Sequence, residues 1–115
     1  MTMAAPDFEA VMRLADLPQG RMSSCIVSGR EIVICHTRDG VFALDNICTH
    51  AYACLTQGRL QGTRLVCPLH GAAFDVRDGR ALSAPAQLPL IAHAVRLVDG
   101  IIEVAVDAEA PPQSA

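Results

Sequence analysis

The sequence predicts an all-β domain built of antiparallel sheets, and three observations carry that expectation. Short runs rich in Val and Ile recur along the chain. Four Gly-containing turn pairs (Asp39-Gly40, Gly62-Thr63, Asp78-Gly79 and Asp99-Gly100) separate pairs of such runs, which is the spacing of successive hairpins. The apolar content is 51%, yet it is mostly Ala, Val, Ile and Leu, with no Trp, one Tyr and three Phe, a composition that suits short strands.

In chain order, residues 1–7 are expected to be a disordered lead-in. Phe8 to Leu14 fits a strand, with a short helix as the alternative. Asp16-Leu17-Pro18-Gln19-Gly20 is a turn, since Pro presets one dihedral and Gly accepts a positive one. Met22 to Val27 reads as a strand closed by Ser28-Gly29-Arg30. Glu31 to His36 is short and dense in β-branched residues, hence a strand. Asp39-Gly40 turns the chain into Val41 to Asn46, with Val41, Ala43 and Asp45 on one face and Phe42 and Leu44 on the other. Arg59-Leu60-Gln61 and Arg64-Leu65-Val66 flank a second hairpin turn. Phe74-Asp75-Val76 and Arg80-Ala81-Leu82 flank a third. Pro85 and Pro89 hold an extended connection without a ladder role. Ile91 to Val98 and Ile101 to Val106 form the fourth hairpin. Residues 108–115, with Pro111-Pro112, are expected to be a disordered tail. One domain thus covers residues 8–107, with no internal repeat and no linker.

Charge and targeting signals narrow the function classes. The formal net charge is −3, with nine Arg and no Lys, and the arginines are scattered singly, as solvated surface charges are. This mild acidity argues against nucleic acid as a main partner, because phosphate binding needs a concentrated basic face. The N-terminus lacks the basic and apolar regions of a secretory signal, and no apolar run approaches a membrane span. The expectation is a cytoplasmic, membrane-free monomer. In that compartment the five Cys stay reduced, and clustered Cys indicate a metal more than a disulfide. Cys25, Cys35 and Cys54 read as small strand hydrophobes. His36 reads as solvated, and His93 as surface-facing or hydrogen-bonded in the core.

The chemistry concentrates between residues 48 and 70. Cys48-Thr49-His50 and Cys67-Pro68-Leu69-His70 bring two Cys and two His, in the same order, from two short loops. Such a set can hold a structural Zn²⁺ or a [2Fe–2S] cluster in which two His replace two of the usual four Cys.

Both boxes, with Gly71 after the second, resemble the cluster-binding boxes of the Rieske iron–sulfur family. The likeness extends to Val41–Asn46, to Leu55-Thr56-Gln57-Gly58 and to Phe74–Pro85, and covers most of residues 8–106. It implies the Rieske fold, antiparallel sheets with a cluster-binding subdomain of two loops (about residues 46–83). It implies one [2Fe–2S] cluster, with Cys48 and Cys67 on the inner iron and His50 and His70 on the outer. Two ferric ions, two sulfides and two thiolates sum to zero charge, so reduction is easier than in an all-Cys cluster.

High-potential members of the family carry an extra Cys in each loop, paired over the cluster, and Ser and Tyr hydroxyls against its sulfurs. Ala53, Leu69, Ala72 and Phe74 stand at those positions, and fewer donors imply a low-potential centre. Ala51, Tyr52, Leu69, Gly71 and Ala72 are expected to form an apolar collar that shields the cluster or meets a partner, with Pro68 stiffening the second loop. No membrane anchor and no second iron domain fit the chain. The resemblance therefore implies a free-standing ferredoxin of a multicomponent aromatic-ring-hydroxylating dioxygenase. It would have no catalysis of its own and would carry single electrons from an NAD(P)H-dependent flavin reductase to a terminal Rieske oxygenase. The alternatives are the small Rieske-like subunit of a nitrite reductase and a zinc-stabilised binding module.

Overall fold

The computed structural model describes residues 8–49, 53–69, 71–83, 88–106 and 110–111. Its strands are β1 (Glu9–Arg13), β2 (Met22–Val27), β3 (Arg30–Thr37), β4 (Gly40–Asp45), β5 (Arg59–Gln61), β6 (Arg64–Val66), β7 (Ala73–Asp75), β8 (Ala81–Ser83), β9 (Ala92–Val98) and β10 (Ile101–Ala105), with single 3₁₀ turns at Leu14–Asp16 and Leu55–Gln57. They form two antiparallel sheets. The larger has the order β1-β10-β9-β4-β3-β2, and the smaller has the order β5-β6-β7-β8. β1 and β2, at opposite edges of the large sheet, touch, so this sheet curls toward a barrel.

The central hairpin β3–β4 explains how two sheets share one core. Ile32, Ile34, Val41 and Ala43 point into the barrel against Val27, Ile102 and Val104. Val33, Cys35, Phe42 and Leu44 point the other way, against Leu55, Leu65, Phe74 and Leu90. A strand covered on both faces reads as a continuous apolar run, which is how Ile32-Val33-Ile34-Cys35 reads. The outer face of the barrel is thereby the seat of the small sheet, and the fully buried Phe74 is its main anchor, worth about 1.5–3 kcal/mol of burial.

The turns follow the sequence closely. Ser28-Gly29 and Asp99-Gly100 have positive φ at both positions (51° and 77°, 51° and 78°), the conformation that matches the twist of two-residue hairpins. In the β3–β4 hairpin the two-residue loop is Arg38-Asp39 rather than Asp39-Gly40, because Thr37 pairs with Gly40 and its hydroxyl bridges the loop to Gly40 O and Asp39 N. β7 starts one residue before its expected position, and β8 starts one residue after.

Three expectations are corrected. Arg30 is not a solvated charge: it is buried, with Nε and Nη2 each 2.7 Å from the Asp45 carboxylate. Arg30 Nη1 also donates to Pro111 O at 2.6 Å, so the tail is held at that point. His36 is half-buried, and its Nδ1 lies 2.6 Å from Leu17 O. For His93 the core alternative holds: it is buried, with Nε2 2.8 Å from Asp45 Oδ1.

Candidate metal centre

The small sheet and the end of β4 each project one loop, and the two loops are closed in the same way. In the first, the Cys48 N–H donates to Ala53 O (3.0 Å), beside a bridge between Ile47 and Cys54. In the second, which links β6 to β7, the Cys67 N–H donates to Ala72 O (2.7 Å). In both cases the cysteine amide reaches the carbonyl five residues on. The two cysteines therefore occupy equivalent positions at the roots of the loops, and both are buried.

Their thiols meet within hydrogen-bonding reach. Burial pushes the Cys67 thiol up to about 11, the Cys48 sulfur adds to the rise, and the Leu69 backbone N–H, aimed at the Cys67 sulfur, pulls the other way. A thiol in this setting is protonated at neutral pH unless a cation replaces its proton. Two thiols side by side, with a backbone donor already turned toward that of Cys67, suit a thiolate-bound iron. His50 and His70, together with Ala51 and Tyr52, lie outside the described residues.

The loops are braced from several sides. Asn46, buried directly before the first loop, accepts hydrogen bonds on Oδ1 from the Thr56 N–H (2.9 Å) and the Thr56 hydroxyl (3.1 Å), while its carbonyl accepts from Leu55 N (2.8 Å). Gly58 lies so close to β6 that a Cβ there would sit inside van der Waals contact of Val66 O. That approach joins the exit of the first loop to the residue before Cys67, and it requires glycine. Thr49 Oγ1 donates to Leu88 O (2.9 Å) and Ser83 Oγ to Gly71 O (3.4 Å), so a hydroxyl tethers each loop.

Around this centre the predicted collar divides. Pro68, Leu69 and Gly71 are exposed, whereas Ala72 is fully buried beneath the loop; it backs the site from below and forms no part of an outer surface. Ala53 and Phe74 are buried as well. Behind the first loop, Arg30, Asp45, Cys48, Thr49, Leu88 and Pro111 line a cavity of about 270 Å³. Burial alone would raise the Asp45 carboxyl, but hydrogen bonds from Arg30 and His93 hold it below its ordinary value. Asn46, Thr49 and Gly58 stand in the stretches that carry the family likeness, but the sequence assigned them no role, and it gave no grouping of Arg30, Asp45 and His93. The available signal was Asp45 itself, a carboxylate on the same strand face as Val41 and Ala43, which a buried face tolerates only with a partner.

Comparison with known proteins points the same way. A Rieske [2Fe-2S] domain model matches residues 7–98. The ferredoxin component of a naphthalene 1,2-dioxygenase system from Pseudomonas aeruginosa is 36% identical over 73% of this chain and 81% of its own length. Among solved structures, the ferredoxin of carbazole 1,9a-dioxygenase from Nocardioides aromaticivorans IC177 superposes with a TM-score of 0.84 at 33% identity, covering 87% of this chain and 98% of that one. A chain from a complex of reduced oxygenase and oxidized ferredoxin in carbazole 1,9a-dioxygenase superposes with a TM-score of 0.82 at 30% identity, covering 85% and 92%.

Proposed function

The chain belongs to the Rieske [2Fe-2S] family, among the ferredoxin components of aromatic dioxygenase systems, and on that premise we propose that it is a low-potential electron carrier between a flavin reductase and a terminal Rieske oxygenase. Its relatives are electron-carrying components of such systems, not their catalytic subunits, and the family cofactor is one Rieske-type [2Fe–2S] cluster. The observation that carries the reading is the meeting of Cys48 and Cys67, thiol to thiol, at the roots of two equivalently closed loops.

When bound, the cluster supplies one-electron chemistry in which no bond to substrate is made. Cys48 and Cys67 would hold one iron, and His50 and His70 the other. The protein's own task is to keep the site rigid and dry. The Asn46–Thr56 bonds, the Gly58–Val66 approach and the two hydroxyl tethers fix the loops. Leu55, Leu65 and Phe74 fill the space beneath them. The proposed low potential rests on Ala72 and Phe74, both buried and neither able to donate a hydrogen bond. The terminal oxygenase as acceptor is supported by the related ferredoxin found in complex with its oxygenase. The flavin reductase as donor is inferred from the two-step logic of a carrier.

Purified protein reduced with dithionite decides the matter. A red-brown protein with the electron-spin signal of a reduced Rieske centre is expected, lost in both H50A and H70A. A colourless zinc protein overturns the proposal, as does an unchanged cluster spectrum in either variant.

A further inference from the structure

We propose that the outer face of the small sheet is a cationic docking surface for a redox partner that presents carboxylates; this rests on the carrier reading above. Strand register decides which side chains share that face. Gln61 pairs with Arg64 and Arg59 with Val66, and Arg64 pairs in turn with Asp75, so Arg59, Gln61, Arg64 and Asp75 stand on one side. Leu65 and Phe74 fill the opposite side and are fully buried.

The charges on this face are unbalanced. Arg59 and Arg64 are exposed, and neither has an ion-pair partner among the described residues. Arg77 and Arg80 converge on the one buried carboxylate of Asp75, at 2.8 and 3.5 Å, while their side chains remain 53% and 64% exposed. The other acid of this segment, Asp78, caps its own turn by accepting from Arg80 N (2.9 Å).

Residues 55–83 thus hold four arginines against two aspartates, a net of +2. The other five arginines and ten acids of the chain give −5. Charge that would be scattered in a random surface is sorted, with the positive part on the subdomain that carries the second loop. Arg59 lies across from Val66, the residue before Cys67, and the adjacent loop tip exposes Pro68 and Leu69. A partner reaching that tip comes within the field of Arg59 and Arg64. Surfaces lined by one sign of charge raise association rates by about 10 to 10³, an effect that falls steeply with ionic strength.

Small charged oxidants test the field directly. Ferricyanide (3−) would take one electron from the reduced protein and become ferrocyanide (4−). The net charge of −3 demands that this rate rise with salt. The cationic face demands the reverse, a fall of about tenfold as the Debye length shrinks from ~30 Å at 0.01 M to below ~10 Å above 0.1 M. Hexaamminecobalt(III) should show the opposite slope. R59E/R64E should invert both slopes and R59Q/R64Q should flatten them, with the visible spectrum unchanged. A wild-type ferricyanide rate that rises with salt, or a slope indifferent to R59E/R64E, overturns the proposal.

A readout without electron transfer accompanies these rates. At pH 5.7, where the net charge is close to zero, and at low salt the wild type should be retained on a sulfonate cation exchanger and R59E/R64E should flow through; flow-through of the wild type rejects the charged face. If instead the reduced protein lacks a [2Fe–2S] signal, the carrier reading fails, and the exchanger still judges the face independently.

Discussion

Arg30 and Asp45 form a fork-to-fork pair inside the protein, two parallel hydrogen bonds of 2.7 Å between residues at the two ends of the β3–β4 hairpin. The geometry is the strong bidentate one, and His93 takes a further bond to the same carboxylate oxygen, Asp45 Oδ1. Asp45 lies three residues before Cys48, so the pair anchors the strand end from which the first loop departs.

Breaking that pair on one side should be costly. R30M leaves the Asp45 carboxylate buried without its main partner, and a loss of about 3–5 kcal/mol is expected. In R30M/D45L the stranded charge is gone, and at least half of the loss should return. Urea unfolding of the three proteins measures this; a double variant no more stable than R30M would mean that packing, not charge, dominates the site.

Gly58 tests the link between the loops. G58A drives a methyl group into Val66 O, so backbone must move next to Cys67. The expected result is lower iron content per protein chain and a lower Tm. Gly62, in the open β5–β6 turn with φ +62°, is the control. G62A should cost about 1–2 kcal/mol of backbone strain and retain its iron. Equal iron content in the two variants would contradict the bracing role of Gly58.

Introducing donors should raise the reduction potential. A72S and F74Y place hydroxyls at two buried positions beneath the second loop. A new hydrogen bond gains strength when the site takes up negative charge. Each 1.4 kcal/mol of preference for the reduced form raises a one-electron potential by about 59 mV. Protein-film voltammetry on A72S/F74Y should show a positive shift; no shift would place these side chains away from the sulfurs.

Asp75 predicts an acid-side stability change. The hydrogen bond from Arg77 outweighs burial and, with Arg80 nearby, lowers its carboxyl from 3.8 to about 2. A depressed carboxyl stabilises the folded state above its unfolded pKa, and that contribution fades as pH falls from about 4 toward 2. The Tm gap between wild type and D75N should therefore be widest near neutrality and should narrow below pH 4. A gap constant from pH 7 to pH 3 would show that the Arg77–Asp75 pair does not contribute through charge.

Much of this architecture is written locally. Hairpin turns need Gly or Asp at residues such as 99 and 100, and a strand buried on both faces needs the unbroken apolar run at Ile32 to Cys35. The Cys-x-His and Cys-x-x-His boxes are legible because their spacing is short and their order repeats. Arg30, read as one more surface charge, shows where such reading stops. Nothing in its neighbours distinguishes it from Arg38 or Arg64, since its burial depends on Asp45, fifteen residues away, and on Pro111, eighty-one residues away.

Composition and periodicity alone determined that this protein is an antiparallel β domain, and box spacing alone offered Cys48, His50, Cys67 and His70 as a candidate ligand set, because each of those signals is set by residues close together in the chain. Tertiary structure decided the rest. It joined Cys48 to Cys67, buried Ala72, made Gly58 a point of backbone contact, and set Arg59 and Arg64 on one face of the small sheet. Those outcomes depend on strand register and on which sheet faces meet, and contacts between distant residues leave no periodic trace in the sequence.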